Sequence, residues 1–588
     1  MTFLGWLTIF GFAAVLTVLA LPLARYMAAV YTGGRTFLDP VFRVPERLLY
    51  RVMRVDPARG QDWKAYAKSL IIFSLAGWLV LYFILRTQTL WNWTGLNPQH
   101  FHSGTWNVTF NTTSSFLTNT NWQYYGGETT MSYFSQMAGL AVQNFLSAGV
   151  GIVVAVALIR GIISRSGKSL GNFWHDLVRT TLYVLLPISF VVALVLVFQG
   201  SIQNFSHYVT AHTLTGGSQT IAQGPVASQE AIKELGTNGG GFFNVNSAHP
   251  FENPSGFTNL VEMLAVLIIP AALILMYGRM TGRRRQGYAV YATVMIMFLG
   301  ACIVAYIAEA HGSPAQHAAG LHTGVIHGSV GGNMEGKEQR FGIAGSALFD
   351  VVTTVTSCGA VNSALESFTG IGGAIPMANL SASETIFGGV GTGLYSILLY
   401  VILAVFIGGL MVGRTPEYLG KKIEAREIKL TVLGLLITPL FALFSTALAV
   451  ASRAGRASIF SPGKPQAFSE TFYAYLSQAN NNGSAFAGYT GYIQPNAGNL
   501  GAHGVTFADL LGGFTMMFAR YVPILFALAV AGALAGKRIS PAGLGTMRTD
   551  NPTFVVLLIG VIILVGALTF FPALLLGPLV QGLTGHLY

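Results

Sequence analysis

The chain has 588 residues, of which 52% are hydrophobic and only 9% charged, and its formal net charge is +11. So few charged residues cannot cover the surface of a soluble globule of this length, which excludes an ordinary soluble enzyme or binding module. The composition therefore predicts an integral membrane protein.

Ten apolar segments are long enough to cross the ~30 Å hydrocarbon layer of a membrane as helices. In chain order they cover residues 3–24, 69–86, 132–160, 174–199, 258–278, 288–310, 384–413, 428–450, 505–535 and 553–577. No Lys or Arg precedes the first segment, and Arg25 is the first basic residue after it. The first segment is therefore predicted to be a membrane anchor and not a cleaved signal peptide.

The distribution of basic residues orients these segments in the membrane. Of the 33 Lys and Arg residues, 25 lie in alternate loops. Short cytoplasmic loops accumulate basic residues, so the pattern predicts that both termini lie outside. The same bias explains the positive net charge without a nucleic-acid surface, so no nucleic-acid partner is expected.

Four similar polar tetrapeptides lie in the outside loops. They are TNTN at 118–121, TNGG at 237–240, TSCG at 356–359 and NNNG at 480–483, with first residues 119, 119 and 124 positions apart. A near-constant period indicates duplication of a unit made of a helix, a re-entrant segment and a second helix. The predicted parts are 1–68 with the first transmembrane helix and a basic cytoplasmic loop, the repeats 69–160, 174–278, 288–413 and 428–535, and 553–588 with the last helix.

Each tetrapeptide follows a short stretch that is suited to a half-helix entering from outside. The four stretches cover residues 112–117, 228–235, 346–355 and 469–479. Irregular backbone at membrane depth is tolerated only where it is buried in protein or lines a watery cavity. We therefore predict an all-α membrane protein with four pore-loop units around one central ion path, plus one extra helix at each end.

The composition of the tetrapeptides favours a filter for a monovalent cation. Such a filter needs several carbonyl oxygens aimed at one axis, without fixed negative charges. Gly and Asn tolerate positive φ angles, and they occupy the fourth position of every tetrapeptide. The half-helices add the negative ends of their dipoles. The predicted ion-lining residues are Thr118, Asn119, Thr120, Asn121, Thr237, Asn238, Gly239, Gly240, Thr356, Ser357, Cys358, Gly359, Asn480, Asn481, Asn482 and Gly483.

Longer segments around the tetrapeptides resemble the four selectivity-filter segments of the KdpA family. They read TNTNWQ, TNGGGFFNVNSAHPFENP, TSCGAVNSALES and ANNNGSAFAG, and the cytoplasmic segment GRTPEYLGKKIE at 413–424 is also similar. The resemblance covers essentially the whole chain and implies a ten-helix potassium transporter of the bacterial inner membrane. It implies potassium as the bound ion. It also implies uptake driven by a separate P-type ATPase catalytic subunit, with accessory small membrane subunits of the Kdp complex.

The resemblance also gives roles to single residues. Gln123 matches a position that influences ion affinity, although an isolated Gln is often only a satisfied polar residue. Cys358 resembles a filter-lining residue, whereas Cys302 is expected in the core. Arg520 lies inside an apolar segment, where a charge is costly. The resemblance implies that it lies near the ion path, where it positions the filter or limits ion exit; the alternative is a side chain that reaches the membrane surface.

The seventh apolar segment is rich in glycine. The resemblance implies that this helix is broken below the filter to form a gate, whereas close helix packing is the ordinary alternative. The gate candidates are Gly388, Gly389, Gly391 and Gly393.

Histidines of the outside loops are candidates for metal binding or for structural roles. The irregular spacing of His311, His317, His322 and His327 is more typical of a solvated loop than of a metal site. His249 is expected to make structural hydrogen bonds.

Two nucleotide motifs are missing. The sequence contains neither GxxxxGK[ST] nor DKTG, so no nucleotide is expected to bind this chain, and energy for active transport has to enter through another protein. We expect the partner contact to include the basic segment 414–429, with Arg414, Lys421 and Lys422. The alternatives are a stand-alone potassium channel, an ion-coupled potassium transporter or a membrane enzyme, but no nucleophile and base occur at a recognisable spacing.

Overall fold

Ten helices in the described part of the chain are long and apolar enough to cross a membrane. The computed structural model describes residues 1–165, 167–324, 331–459, 465–491, 507–541 and 546–583. The ten spans are α1 (Phe3–Thr32), α3 (Trp63–Arg86), α5 (Ser135–Ile163), α6 (Phe173–Phe198), α8 (Gly256–Met280), α9 (Arg284–His311), α12 (Thr392–Met411), α13 (Ala425–Ala451), α15 (Phe507–Ala535) and α16 (Pro552–Leu574).

Four shorter helices, called pore helices here, each lie between two spans. They are α4 (Trp106–Leu117), α7 (Val226–Leu235), α10 (Gly342–Val355) and α14 (Pro465–Ala479). Three of them end directly before a predicted tetrapeptide, and α7 ends one residue earlier. The prediction of four units with one extra helix at each end is therefore confirmed, although α4 begins six residues before the predicted stretch at 112–117.

The second span of every unit is buried, whereas the first span faces outward. In their most apolar 18 residues, 83%, 78%, 72% and 56% of the residues of α5, α8, α12 and α15 are buried, against 28–44% in the other six spans. The spans that follow the four pore helices therefore form an inner ring around the centre. The remaining spans present their apolar side chains to the lipid.

The seventh span differs from the prediction of one apolar helix over 384–413. The helix α11 (Gly370–Ser381) is followed by an irregular segment at 382–391, and α12 begins only at Thr392. We call residues 382–391 the broken segment. The predicted break near the glycines is thus present in the backbone.

Two small antiparallel hairpins and one amphipathic helix lie outside the spans and the pore helices. Val209–His212 pairs with Ser218–Ile221 between α6 and the second pore helix, and Glu417–Tyr418 pairs with Lys421–Lys422 between α12 and α13. The helix α2 (Asp39–Met53) follows the first span.

Lys421 does not lie on the surface, in contrast to the predicted partner contact. It is 1% exposed, and its ammonium group donates to the carbonyl oxygens of Gly161, at 3.0 Å, and Leu534. These carbonyls lie at the ends of α5 and α15, where helices leave acceptors unpaired. Lys421 therefore caps two inner spans, whereas Arg414 and Lys422 are exposed.

Candidate functional site

The four pore helices end where the polar tetrapeptides begin, and these tetrapeptides are buried at the centre of the inner ring. The carbonyl ends of helices carry partial negative charge. Four such ends next to one buried polar region favour a cation there. This arrangement was predicted from the sequence.

One residue after each pore helix adopts the left-handed backbone conformation. The residues are Asn119 with φ 74°, Thr237 with φ 49°, Ser357 with φ 51° and Asn481 with φ 53°. A non-glycine residue with positive φ is uncommon, and four equivalent ones mark the same turn in every unit. In each unit, the turn redirects the backbone from the pore helix into the extended filter segment.

These turns place the second segment one residue earlier than its sequence motif suggests. Thr237 is level with Asn119, so the equivalent segments are 118–121, 236–239, 356–359 and 480–483. Gly239, and not the predicted Gly240, is therefore level with Asn121, Gly359 and Gly483. Positive φ angles are found at Asn121, Gly359 and Gly483 but at neither Gly239 nor Gly240, so the register follows from the turn at Thr237.

The four segments converge so closely that three positions have no room for a side chain. A Cβ atom on Gly239 would lie 2.5 Å from the carbonyl oxygens of both Thr120 and Asn482. On Gly359 it would overlap the Asn482 carbonyl, and on Gly483 the Thr120 carbonyl. Backbone carbonyls of different segments therefore meet at one place, where only residues without a side chain fit.

Side chains of the tetrapeptides connect each unit to its neighbours, three of them to another filter segment and Asn482 to the pore helix α10. Asn119 donates to the Thr237 carbonyl at 2.7 Å, and Cys358 to the Asn238 carbonyl at 3.4 Å. Asn482 donates to the Thr353 carbonyl at 3.0 Å, and Asn481 to the Thr120 hydroxyl at 2.9 Å. The amides and the thiol thus fix the spacing between segments, while the backbone surrounds the passage.

Gln123 joins the first segment to the residue that follows the second. Its amide nitrogen donates to the Gly241 carbonyl at 3.1 Å, and its amide oxygen accepts from the Gly241 nitrogen at 3.2 Å. It lines a cavity of about 510 Å³ on one side of the filter, together with Trp122, Glu338 and Glu366. Gln123 therefore lies beside the filter, and its influence on ion affinity stays a prediction.

The broken segment lies directly against the opposite, inner side of the filter. Gly388 donates to the Val355 carbonyl, and Val390 to the Thr237 hydroxyl, both at 3.0 Å. A Cβ atom on Gly391 would overlap the Gly151 backbone, and Gly389 would place one 3.4 Å from the Thr356 carbonyl. The predicted gate candidates therefore lie in direct contact with the filter segments and with α5, and their role as a gate stays a prediction.

Arg520 is buried and contacts the end of the broken segment. It is 4% exposed, and its guanidinium donates to the Thr392 hydroxyl at 2.6 Å and lies 4.0 Å from the Glu384 carboxylate. A side chain held in this way does not reach the membrane surface. Burial against the broken segment therefore contradicts the alternative of a side chain at the membrane surface, and the role near the ion path stays a prediction.

The remaining candidates lie away from the passage. Cys302 is buried in the core, and His249 stacks on Phe243 with ring centroids 3.6 Å apart. Burial and the charge of Arg340 lower the pKa of the His249 imidazole to about 4. His317 bonds to the His311 carbonyl, and His327 lies outside the described residues.

Sequence analysis missed Glu384 and the glutamates around Lys233. Glu384 is the first residue of the predicted seventh span, and Glu262 lies inside the predicted fifth. Both are buried. A charged residue in an apolar segment was the signal that identified Arg520, and applied to every span it identifies these two as well.

Ten spans, four re-entrant segments and a central carbonyl-lined passage define a polytopic ion-transport protein of the membrane. The family model "KdpA: Potassium-transporting ATPase A subunit" matches residues 10–583. The chain belongs to this family.

Proteins similar over their full length carry one description. A protein from Rhizobium rhizogenes is 53% identical over 584 residues, covering 99% of both chains, and one from Mesorhizobium japonicum is 52% identical over 583 residues with the same coverage. Both are described as "Potassium-transporting ATPase potassium-binding subunit". The potassium transporter TrkH from Vibrio parahaemolyticus has 14% identity and a TM-score of 0.49, covering 79% of this chain and 84% of its own.

Proposed function

We propose that this chain binds and selects potassium from outside the cell and delivers it to the translocation path of an ATP-driven uptake complex. The observation that carries the proposal is the convergence of four filter segments on the carbonyls of Thr120 and Asn482. The family and the printed description of its relatives support potassium as the ion.

Selection follows from the chemistry of the sixteen predicted ion-lining residues. None of them is Asp or Glu, so the ligands they offer are carbonyl, hydroxyl, amide and thiol groups. Backbone carbonyls replace the water shell of a monovalent cation without the fixed charge that favours divalent ions. The four pore-helix ends add attraction for a cation.

The broken segment and Arg520 control the exit of the ion. The segment contacts the second and third filter segments from the inner side, and positive φ angles at Ser383, Glu384 and Phe387 show that its backbone is held away from ordinary conformations. Such strain is concentrated at functional positions. A fixed positive charge at Arg520 raises the energy of a cation that leaves the filter toward this side.

Energy for uptake comes from partner proteins. The family description names an ATPase, and this chain contains no nucleotide motif. We therefore assign ATP hydrolysis to a P-type ATPase catalytic subunit, with accessory small membrane subunits of the Kdp complex. Exposed Arg414 and Lys422 remain the proposed partner contacts, without the buried Lys421.

The proposed location is the bacterial inner membrane, with the lipid bilayer around the outer spans and both termini outside. The distribution of basic residues supports this orientation. In it, the cavity beside Gln123 faces outside and the broken segment faces the cytoplasm.

Potassium uptake into proteoliposomes tests the proposal against the alternative of an autonomous channel or ion-coupled transporter. Vesicles contain the chain alone or the chain with its ATPase partners, and uptake is measured with and without ATP. We expect accumulation against a gradient only with partners and ATP. Potassium conduction or accumulation by the chain alone would support the alternative.

A further inference from the structure

Five charged residues form a fully buried cluster behind the second filter segment, which we call the lysine cluster. Its members are Glu230, Lys233, Glu234, Glu252 and Glu262, all at most 1% exposed. The Lys233 ammonium lies 2.7 Å from Glu230, 3.2 Å from Glu234 and 3.8 Å from Glu252. Carboxyl oxygens of Glu230, Glu234 and Glu262 lie within 4.8 Å of one another.

A short chain of hydrogen bonds connects the lysine cluster to the filter. The Lys233 ammonium donates to the side-chain oxygen of Asn246 at 2.6 Å. The side-chain nitrogen of Asn246 donates to the Gly239 carbonyl at 2.9 Å. Gly239 is the residue of the second segment that touches both the first and the fourth segments. The ammonium thus reaches a filter carbonyl through one amide.

A second connection extends from the lysine cluster to the third segment. The Glu234 carboxylate lies 3.6 Å from the thiol of Cys358, which also donates to the Asn238 carbonyl at 3.4 Å. The cluster is therefore connected to both the second and the third filter segments.

The position of the ammonium is tightly restrained. Removing a charge from water is costly, and a buried ammonium remains only where carboxylates and hydrogen bonds surround it. A charged donor also polarises the amide that it contacts, which strengthens the next hydrogen bond. Asn246 itself has φ 57°, so its side chain is presented from a fixed, unusual backbone turn.

We propose that Lys233 is a positioning residue which, through Asn246, holds the Gly239 carbonyl and so sets the discrimination of the filter between potassium and cations of other radius. This inference rests on the proposed function. When a hydrogen bond from behind the filter restrains a carbonyl, moving that carbonyl toward a smaller ion or away from a larger one costs free energy. The ion that fits the restrained spacing is therefore favoured.

The test uses the assembled ATPase complex and measures ATP hydrolysis stimulated by K⁺, Rb⁺ or Na⁺. The variants are Lys233→Met, Lys233→Arg and Asn246→Ala, which removes the amide but leaves the charges. Lys337→Met is the matched control, because Lys337 forms another fully buried ion pair, 2.7 Å from Glu309, outside the filter.

We expect Lys233→Met and Asn246→Ala to raise KM for K⁺ at least tenfold and to lower the KM ratio of Rb⁺ to K⁺, with kcat within twofold. Lys233→Arg restores most of the discrimination, and Lys337→Met lowers thermal stability without changing the ratio. Unchanged KM values and ratio in assembled Asn246→Ala overturn the inference. An unaltered complex that shows no K⁺ dependence contradicts the proposed function itself.

Discussion

Asn119, Thr237, Ser357 and Asn481 have the same left-handed conformation, although only two of them are of the same residue type. Asn enters this conformation more readily than β-branched Thr. The second segment therefore depends most on its surroundings: the Thr237 hydroxyl accepts a hydrogen bond from Val390, and its carbonyl accepts one from Asn119. At the residue scale, the left-handed conformation is therefore stabilised by contacts between units as well as by the preference of the residue itself.

Gly239 and Gly240 give a direct test of the filter register. We expect Gly239→Ala to raise the apparent Kd for potassium at least tenfold, because its Cβ would lie 2.5 Å from two carbonyl oxygens of other segments. Gly240→Ala would meet one carbonyl oxygen, that of Asn121 at 2.8 Å, and the flexible Gln123 side chain at 2.9 Å, so we expect a smaller effect. Potassium titration of the purified complex measures both. Gly11→Ala, with open space around it, is the control. A larger effect at Gly240 contradicts the register.

Protonation of His249 is expected to destabilise the outside loop. Its folded pKa of about 4 lies below the ordinary value of about 6.5, so the unfolded chain binds more protons between these values. The stabilising contribution is therefore full above about pH 6.5 and is lost as the pH falls toward 4.

Thermal unfolding at pH 7 and pH 5 measures this effect. His249→Asn is the matched variant, since its amide oxygen can replace the imidazole Nδ1 that accepts from the Phe251 nitrogen at 3.1 Å. The unaltered chain should lose more Tm between the two pH values than the variant. Equal losses would show that His249 does not contribute.

At the scale of elements, the break before α12 is the feature that distinguishes the third unit. In the other three units the inner span continues as one helix of 25 to 29 residues, whereas α12 has 20 and follows ten irregular residues. Glycines permit this path because the segment touches Gly151, Val355 and Thr237 at backbone distance. The break therefore places an irregular segment of backbone against the filter.

Gly391→Ala tests the function of the broken segment. Gly391 has φ 83°, and an added Cβ would overlap the Gly151 backbone, so the segment has to move. We expect transport by the complex to fall at least tenfold while potassium still binds to the filter with affinity within threefold. Parallel uptake and binding assays separate the two effects. Gly300→Ala, within α9 and facing open space, should change neither. Loss of binding in step with transport would argue against a gate.

At the scale of the whole molecule, the adjacent residues Lys421 and Lys422 of one hairpin are expected to have different roles, one in stability and one in assembly. Lys421→Met leaves the Gly161 and Leu534 carbonyls without their donor, and each unsatisfied buried group costs about 1–3 kcal/mol. Lys422→Glu changes an exposed charge. We expect a lower Tm only for Lys421→Met and weaker assembly with the ATPase only for Lys422→Glu. Thermal unfolding and co-purification measure these properties. Normal assembly of Lys422→Glu would exclude Lys422 from the contact.

Cysteine labelling tests the orientation of the whole chain. Ser218 and Gly536 are exposed on opposite sides, and the native Cys302 and Cys358 are buried. In intact cells, Ser218→Cys should react with an impermeant maleimide, whereas Gly536→Cys should react only after permeabilisation. The chain without added cysteines is the control. The reverse result would invert the proposed topology.

The sequence by itself determined the membrane class, the ten spans and the four units. Those properties depend on local features of the sequence, namely the length of apolar segments, the basic residues of the loops and short polar motifs. Each of these features is formed by consecutive residues. Arg520 was found in the same way, because one charge in an apolar segment is visible without a structure.

Only the tertiary structure decided the register of the second segment, the burial of Lys421 and the lysine cluster. TNGG at 237–240 is similar in sequence to the other motifs. In the structure, however, Thr237 is equivalent to Asn119, because the end of α7 sets the position of the turn. Lys421 and Lys422 look alike in a basic loop, and only the packing of α5 and α15 separates them. Lys233 and Asn246 meet through a folded loop, and contacts between distant residues depend on how elements pack, which no local pattern records.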